Sequence, residues 1–427
     1  MTRFSSYQKI GYHTSLAGAD WLENTATQHI LSVLEQRGFE ARIVGGAVRN
    51  TLLGHPVTDI DIATTATPEE VIITATQAGL TVVPVGLSYG TVLVKSKGMA
   101  FEVTTLREDL TTNGRHASVR FTTDWKVDAQ RRDFTINALY CDARGNVLDP
   151  LDGLRDISTF KVRFIGCPDC RINEDYLRIL RYFRLFAQYG KGAPDQLALE
   201  ACVRGRNGLR KLSRERVSQE FLKLLVAPRA ITAISAMNNH GLLSVFLPFA
   251  PRLEYLARLI KTTPNSPASV RLATLCLAVE EDADRVIEAL NLSRIMQKEI
   301  KNIATALHSC AQLSSPHLIR VLMYENGRDN VRQRINYLKC AASNGEEDPE
   351  WSNILELIDT WSIPKLPLNG NDMLAIGVTP GFDMGIVMKL VKDRWIESDF
   401  TMTHGELLNY ANSLVLQRGL NKDILTY

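Results

Sequence analysis

Period-two hydrophobic patterning stops near residue 170 of this 427-residue chain and does not return. A half-buried strand must alternate apolar and polar residues, so only the front of the chain can build a sheet. There, "ARIVGG", "TDIDIATT" and "GTVLVKSKGMAFEVTTL" read as strands, the last as a hairpin turning near Gly98. Between them, "ADWLENTATQHILSVLEQRG", "AVRNTLLG" and the proline-opened "PEEVIITATQAG" read as helices. The first 150 residues are therefore an α/β or α+β sheet domain.

Everything behind reads as helix and loop. Residues 189–195 and 262–269 are loops, and 343–350 is an acidic linker. "SRERVSQEFLKLL" and "DADRVIEALNLSRIMQKEIKNIATAL" read as helices, and Thr403 with Glu406 has capping-box spacing. There is no internal repeat and no low-complexity tail. At about 100–200 residues per domain, three or four modules are expected. No apolar run approaches the roughly 20 residues of a membrane span, and the first residues lack an apolar signal core. A cytoplasmic protein is expected, without membrane contact and with no feature demanding a protein partner. Seven scattered cysteines argue against a disulfide scaffold. Cys167 and Cys170 form one CxxC, without the second half-site that zinc needs.

Net charge is only +2, which excludes a wholly basic coat. Residues 151–225 nevertheless carry fifteen Lys and Arg against nine Asp and Glu. A local basic stripe suits phosphate binding, and equally a solvated helix face.

Four motifs bear chemistry. In "IVGGAVRN" a strand runs through Gly45-Gly46 into a helix, a geometry that lets backbone N–H groups face a phosphate, with Arg49 in reach. The same pair also makes an ordinary tight turn. In "DIDIATT", Asp59 and Asp61 share one face of a strand whose other face is Ile60 and Ile62. Two such carboxylates repel unless a cation lies between them, and hard oxygen donors suit Mg²⁺. Glu102 in "FEVTTLRED" is a possible third carboxylate, or a solvent-facing strand acid. In "DAQRRDFTINAL", Arg131 and Arg132 offer guanidinium forks for phosphate, or a local ion pair with Asp133. Finally, "RINEDYLRILRYFR" reads as one helix over 171–184. Asn173 could cap it, Asp175 and Arg178 would lie one turn apart, and Arg181 and Arg184 would follow at the same spacing.

Taken in order, GGAVRN, DIDIATT, GTV, FEVTTLR, RRDFTINAL, EDYLR and SRERVSQEF resemble the class II tRNA nucleotidyltransferase family. That family comprises the bacterial CCA-adding enzymes and the related poly(A) polymerases. The resemblance covers most of the chain and is strongest from about 40 to 225. Departures are Asn50, where aspartate is usual, and Tyr176, where a small residue or proline is usual.

The resemblance implies a small mixed-sheet, polymerase-β-like head (1–150), a helical neck with a nucleotide-templating helix (151–225), and a helical body (226–345) and tail (346–427) that bind tRNA. It implies CCA addition to the tRNA 3′ end, with contacts to the acceptor stem and elbow, from CTP and ATP. Asp59 and Asp61 are expected to hold two Mg²⁺ ions, aided by Glu102. Gly45, Gly46, Arg49, Arg131 and Arg132 are expected around the phosphates. Asp175 and Arg178 are expected to read the base, with Arg181 and Arg184 touching the nucleotide or primer end. Base chemistry agrees. Cytosine and adenine both present an amine donor beside a ring-nitrogen acceptor, and guanine and uracil present the reverse. A carboxylate only accepts and a guanidinium only donates, so the pair fits C and A. A poly(A) polymerase is the nearest alternative and a CC-only enzyme the next. The segment "VPVGLSYGTVLV" and the full length of loop 106–121 favour CCA addition over both, and intact Asp59 and Asp61 argue against an inactive RNA-binding protein.

Overall fold

The computed structural model describes residues 14–113, 116–305, 315–342 and 349–418. It is α+β, with a mixed sheet in front and helices behind, as the loss of alternation requires. Two compact units divide the chain: residues up to Pro251 with 289–291, and the remainder from Arg252.

The first unit holds a seven-stranded sheet in the order β3-β4-β5-β2-β1-β8-β9. Its strands are β1 (Ala41–Val44), β2 (Asp61–Thr64), β3 (Thr81–Val83), β4 (Thr91–Ser96), β5 (Met99–Thr105), β8 (Tyr140–Cys141) and β9 (Val147–Leu148). Strand β2 runs antiparallel to β1 and parallel to β5. β4 and β5 form the hairpin expected at Gly98, whose φ of 83° suits glycine. Val92, Val94, Phe101 and Val103 are fully buried while Glu102 between them is exposed, so alternation fixes which face carries the acid.

Helices α1 (Asp20–Glu23), α2 (Thr25–Glu35), α3 (Gly46–Leu53) and α4 (Pro68–Gln77) accompany the sheet. The expected single helix over 19–38 is broken at Asn24, whose side chain instead caps α2 by accepting from the Ala26 N–H at 2.8 Å. α4 opens with Pro68 inside a Thr67–Glu70 capping box. Residues 106–121, read as a loop, form a second sheet: β6 (Arg107–Asn113) pairs with β7 (His116–Phe121). Their polar faces hide the strand signal. Phe121 anchors the hairpin against Gly90, where an added Cβ would come within 2.8 Å of the ring.

The rest of this unit is helical: α5 (Trp125–Gln130), α6 (Gly153–Ser158), α7 (Pro168–Glu174), α8 (Leu177–Tyr189), α9 (Gln196–Gly205), α10 (Arg214–Leu225) and α11 (Ala230–Asn239). α8 packs its apolar stripe, including Leu180, Phe183 and Phe186, against α10 and α11.

The second unit is built from α12 (Leu253–Thr262), α13 (Ala268–Cys276), α14 (Asp282–Leu290), α15 (Arg294–Ala304), α16 (Pro316–Asn326), α17 (Arg328–Ala342), α18 (Pro349–Thr360), α19 (Gly370–Ala375), α20 (Phe382–Glu397) and α21 (His404–Arg418). The helix expected over 282–307 is two: Asn291 turns left-handed at φ 44°, and Ser293 caps α15. Thr403 and Glu406 make the expected reciprocal cap at the start of α21. Most of the acidic segment 343–350 lies outside the described residues.

Candidate active site

The acids at the head of β2 are set by alternation. Ile60 and Ile62 are buried (7% and 0% exposed), so Asp59 and Asp61 both face solvent. The strand begins only at Asp61, so Asp59 stands just before it rather than on it, accepting a hydrogen bond from Thr58 Oγ1 at 3.1 Å. Parallel pairing sets Asp61 directly opposite Glu102. Loss of hydration, then Glu102 and, more weakly, Asp59 raise the Asp61 pKa, while Arg132 opposes them. The side chain is open, yet protein mass around the carboxyl removes enough water for the like charges to be felt.

This donor set fits Mg²⁺, which is commonly held by one or two carboxylates together with waters and substrate phosphates. It is no preformed cage: among the described residues no group of three His, Cys, Asp or Glu side chains is arranged to hold an ion.

The glycine turn needs one correction. Gly45 takes φ 72° between β1 and α3, a conformation that favours glycine, but its N–H donates to the Leu139 carbonyl at 3.1 Å. Gly45 shapes the turn rather than offering that N–H to phosphate, and Gly46 begins the helix. Arg49 makes contacts that its local sequence does not announce. It is buried, donates to Asn137, to Asn50 (2.8 Å) and to the Tyr189 hydroxyl (2.9 Å), and lies 4.5 Å over the Tyr189 ring. Its donors fasten α3 to the end of α8. Asn50 is the hub of that cluster, accepting from Arg49 and Tyr189 and donating to the Pro56 carbonyl.

Arg131 and Arg132 do not pair with Asp133. They follow Asp128 by one turn and converge on its fully buried carboxylate at 2.6 and 2.9 Å, with the Tyr140 hydroxyl donating to it at 2.7 Å. Burial works against the Asp128 charge, but the two guanidiniums prevail and hold its pKa well below the usual carboxylate range. The i−3/i−4 spacing was a signal for this anchor in the sequence.

The stretch 171–184 is not one helix. α7 ends at Glu174, and Asp175 adopts an extended conformation (φ −154°, ψ 109°) before α8 begins. Asn173 lies within α7, whose cap is Cys167. Asp175 therefore does not pair with Arg178. It accepts from Arg216 of α10 at 2.6 Å, and from the Leu177 N–H at 3.1 Å. Arg178 pairs with Glu174 and donates to the Arg171 carbonyl at 3.0 Å. Arg181 donates to Asp133 (2.7 Å) and Arg184 to Glu220 (2.6 Å). Each arginine of the stripe has its own acid, so Arg181 and Arg184 serve as ties between elements. Asp175 and Arg178 remain neighbours, both partly exposed.

Tyr176, between them, has its accommodation in the fold. Its ring lies over Gly208, where an added Cβ would fall 2.0 Å from the ring. Gly208→Ala is thus expected to cost about 1–3 kcal/mol through overpacking and to raise KM for nucleotide. Thermal unfolding and KM for CTP check this, and Gly208→Ala with Tyr176→Ala should recover both.

The Asp133–Arg181 pair gives a pH dependence. Burial would raise the Asp133 pKa, but Arg181 and the Asn137 amide outweigh it and bring it to about 2. A depressed folded-state pKa stabilises above the unfolded value and loses that stability as pH falls toward about 2. Asp133→Asn should lower neutral-pH stability by about 2 kcal/mol, with the difference from the parent shrinking below about pH 4. Urea unfolding at pH 7 and pH 3 measures it.

Comparison with known proteins decides the class. The Poly A polymerase head domain family matches residues 41–163, and the "Probable RNA and SrmB- binding site of polymerase A" family matches 195–253. CCA tRNA nucleotidyltransferase 1, mitochondrial, of Danio rerio is 34% identical over 399 residues, covering 89% of each chain. The CCA-adding enzyme of Leuconostoc mesenteroides is 31% identical, covering 91% of this chain and 96% of its own. The chain belongs to the CCA tRNA nucleotidyltransferase family. The CCA-adding enzyme of Bacillus stearothermophilus, solved in complex with CTP, superposes with a TM-score of 0.68 at 26% identity, covering 92% of this chain and 98% of that one. The CCA-adding enzyme of Thermotoga maritima, solved with tRNA, shares the fold at a TM-score of 0.62. As a CCA tRNA nucleotidyltransferase the chain is a nucleotide-transferring enzyme, and its full-length likeness sets aside the poly(A) polymerase alternative. No helix among the described residues is long and apolar enough to cross a membrane.

Proposed function

We propose that this enzyme completes tRNA by adding C, C and A to its 3′ end from CTP and ATP, releasing pyrophosphate at each step. The observation that carries the chemistry is the solvent-facing pair of Asp61 and Glu102, set opposite each other by the parallel pairing of β2 with β5, with the exposed Asp59 two residues before Asp61. Asp59 and Asp61 would hold two Mg²⁺ ions, with Glu102 adding negative charge beside them. Bound there, the metals supply Lewis-acid polarisation of the triphosphate and acidify the primer hydroxyl. The primer 3′-oxygen attacks the α-phosphorus in line, and the bond to pyrophosphate breaks. Arg132, close enough to Asp61 to influence its charge, places a cation near the incoming triphosphate, and Arg131 backs it through Asp128. Asp175 accepts from the exocyclic amine of C or A and Arg178 donates to the ring nitrogen. Arg216 and Glu174 hold the two side chains in position.

The head-to-tail division at residues 150, 225 and 345, with tRNA bound by the helical body and tail through shape and phosphate contacts, is part of this reading. So is a cytoplasmic location, which suits free rather than disulfide-bonded cysteines.

The test is extension of a tRNA ending at its discriminator base. CTP and ATP together should add three residues and stop, and a long A ladder would overturn the proposal. Deleting residues 110–117, of which 114–115 lie outside the described residues, should spare CC addition and block the final A. Equal loss of both steps would count against a switching role for the hairpin.

A further inference from the structure

The nucleotide chemistry leaves one reactive pair unused. Of the cysteines among the described residues, Cys141, Cys202, Cys276 and Cys340 are buried, and only Cys167 and Cys170 are exposed. They stand at the cap and third position of α7, on one face of its first turn. The Cys170 N–H donates to Cys167 Sγ at 3.5 Å. Residues three apart in a helical turn have Cβ atoms about 5–6 Å apart. A disulfide needs about 3.5–4.5 Å, so a small closure of this turn suffices. A hydrogen bond from the Cys170 thiol, joined by the backbone N–H, lowers the Cys167 pKa, and the same contact raises that of Cys170. The two thiols are therefore unequal, one suited to attack and the other to resolve.

The surroundings determine where such a closure would be felt. Further along α7, Ile172 packs on Gly205 of α9 so tightly that a Cβ there would come within 2.6 Å. Asp169 forms a two-point ion pair with Arg204 at 2.8 Å. α7 is held from that side, so movement of its first turn cannot be absorbed by sliding the helix. The residue after Cys170 is Arg171, whose carbonyl accepts from Arg178 at 3.0 Å and whose side chain pairs with Glu174 at 3.2 Å.

We propose that Cys167 and Cys170 form a reversible dithiol–disulfide site, oxidised by low-molecular-weight disulfides, whose state reaches Arg178 through Arg171. The Cys167 thiolate attacks one sulfur of a small disulfide RSSR, forming a mixed disulfide and releasing RS⁻. Cys170, on losing its proton, then attacks Cys167 Sγ and expels the second RS⁻. The two cysteines lose two electrons and two protons, and RSSR becomes two RSH. The link to Arg178 rests on the reading of that residue as a base contact, whereas the disulfide itself does not.

The experiment takes the full-length enzyme through oxidised glutathione, blocks remaining thiols and maps the peptides. An internal Cys167–Cys170 disulfide with release of two glutathione thiols per chain is expected. Cys170→Ser should stop at a glutathione adduct on Cys167, and Cys167→Ser should react more slowly. A lasting adduct on the parent protein, or two unreacted thiols, overturns the site. KM for CTP should rise severalfold on oxidation, return with dithiothreitol, and stay at the reduced value in the double serine variant. A fully formed disulfide with unchanged KM overturns the link to Arg178. Failure of the reduced enzyme to add CCA would refute the proposed function instead, and leave the mapped disulfide standing.

Discussion

Asp61→Ala is expected to lose nucleotide addition by about a thousandfold or more while keeping its fold and most of its tRNA affinity. The magnitude follows from the several kcal/mol of charge stabilisation that a bound metal supplies, at about 1.4 kcal/mol per tenfold in rate. The retention of fold follows from the site. The Asp61 carboxylate faces solvent beside Glu102 and Asp59, which raise its pKa, so removing it relieves repulsion. Phosphate contacts elsewhere dominate RNA affinity. Asp59→Ala should behave alike. Single-turnover extension, melting temperature and filter binding on the same preparations separate these terms. A variant extending primer at near the parental rate would remove Asp59 and Asp61 from the chemistry.

Asp175→Ala and Arg178→Ala should relax specificity more than they reduce rate. Each leaves one polar edge of the base without its partner, a loss of about 1–3 kcal/mol in discrimination, so UTP and GTP enter the product. On the proposed reading, in which the pair contacts one base edge as a unit, the double variant should resemble either single one. The ion pairs supply the control. Asp175→Ala also strands Arg216, and Arg178→Ala leaves Glu174 with Arg171 as its remaining partner, so both variants lose some stability. Arg216→Ala strands the Asp175 carboxylate without removing it and should lower the melting temperature with a smaller effect on base choice. If UTP and GTP stay excluded throughout, these residues only join α7, α8 and α10, and the base is read elsewhere.

The site was legible where local pattern and tertiary role coincide. Asp59 and Asp61 could be placed because Ile60 and Ile62 dictate the opposite face, and the Gly98 hairpin because strand and turn signals agree. It was illegible where a distant partner overrides the local pattern. Nothing in "RINEDYLRILRYFR" breaks a helix. The chain leaves helical geometry at Asp175, where the carboxylate meets Arg216, forty-one residues away. The contacts of Arg49 could not be read locally because its partners Asn137 and Tyr189 are 88 and 140 residues distant. Hairpin 107–121 was missed because polar strands lack an apolar rhythm. The break at Asn291 was readable, as asparagine tolerates a left-handed turn and Ser293 is a ready cap.

The fastening of Arg49 to Tyr189 bears on where such a chain can be cut. A gene fragment ending at residue 150 would encode every strand of the large sheet. It would also leave Arg49 without the Tyr189 hydroxyl and ring, and the nearly buried Asp133 without Arg181. The fragment would lose the pairing with Arg181 that lowers the Asp133 pKa to about 2, and the neutral-pH stability linked to it. The sheet and the helix carrying Arg178, Arg181 and Tyr189 are thereby tied into one unit. A cut between sheet and helices at residue 150 would therefore sever contacts inside one compact unit rather than separate two.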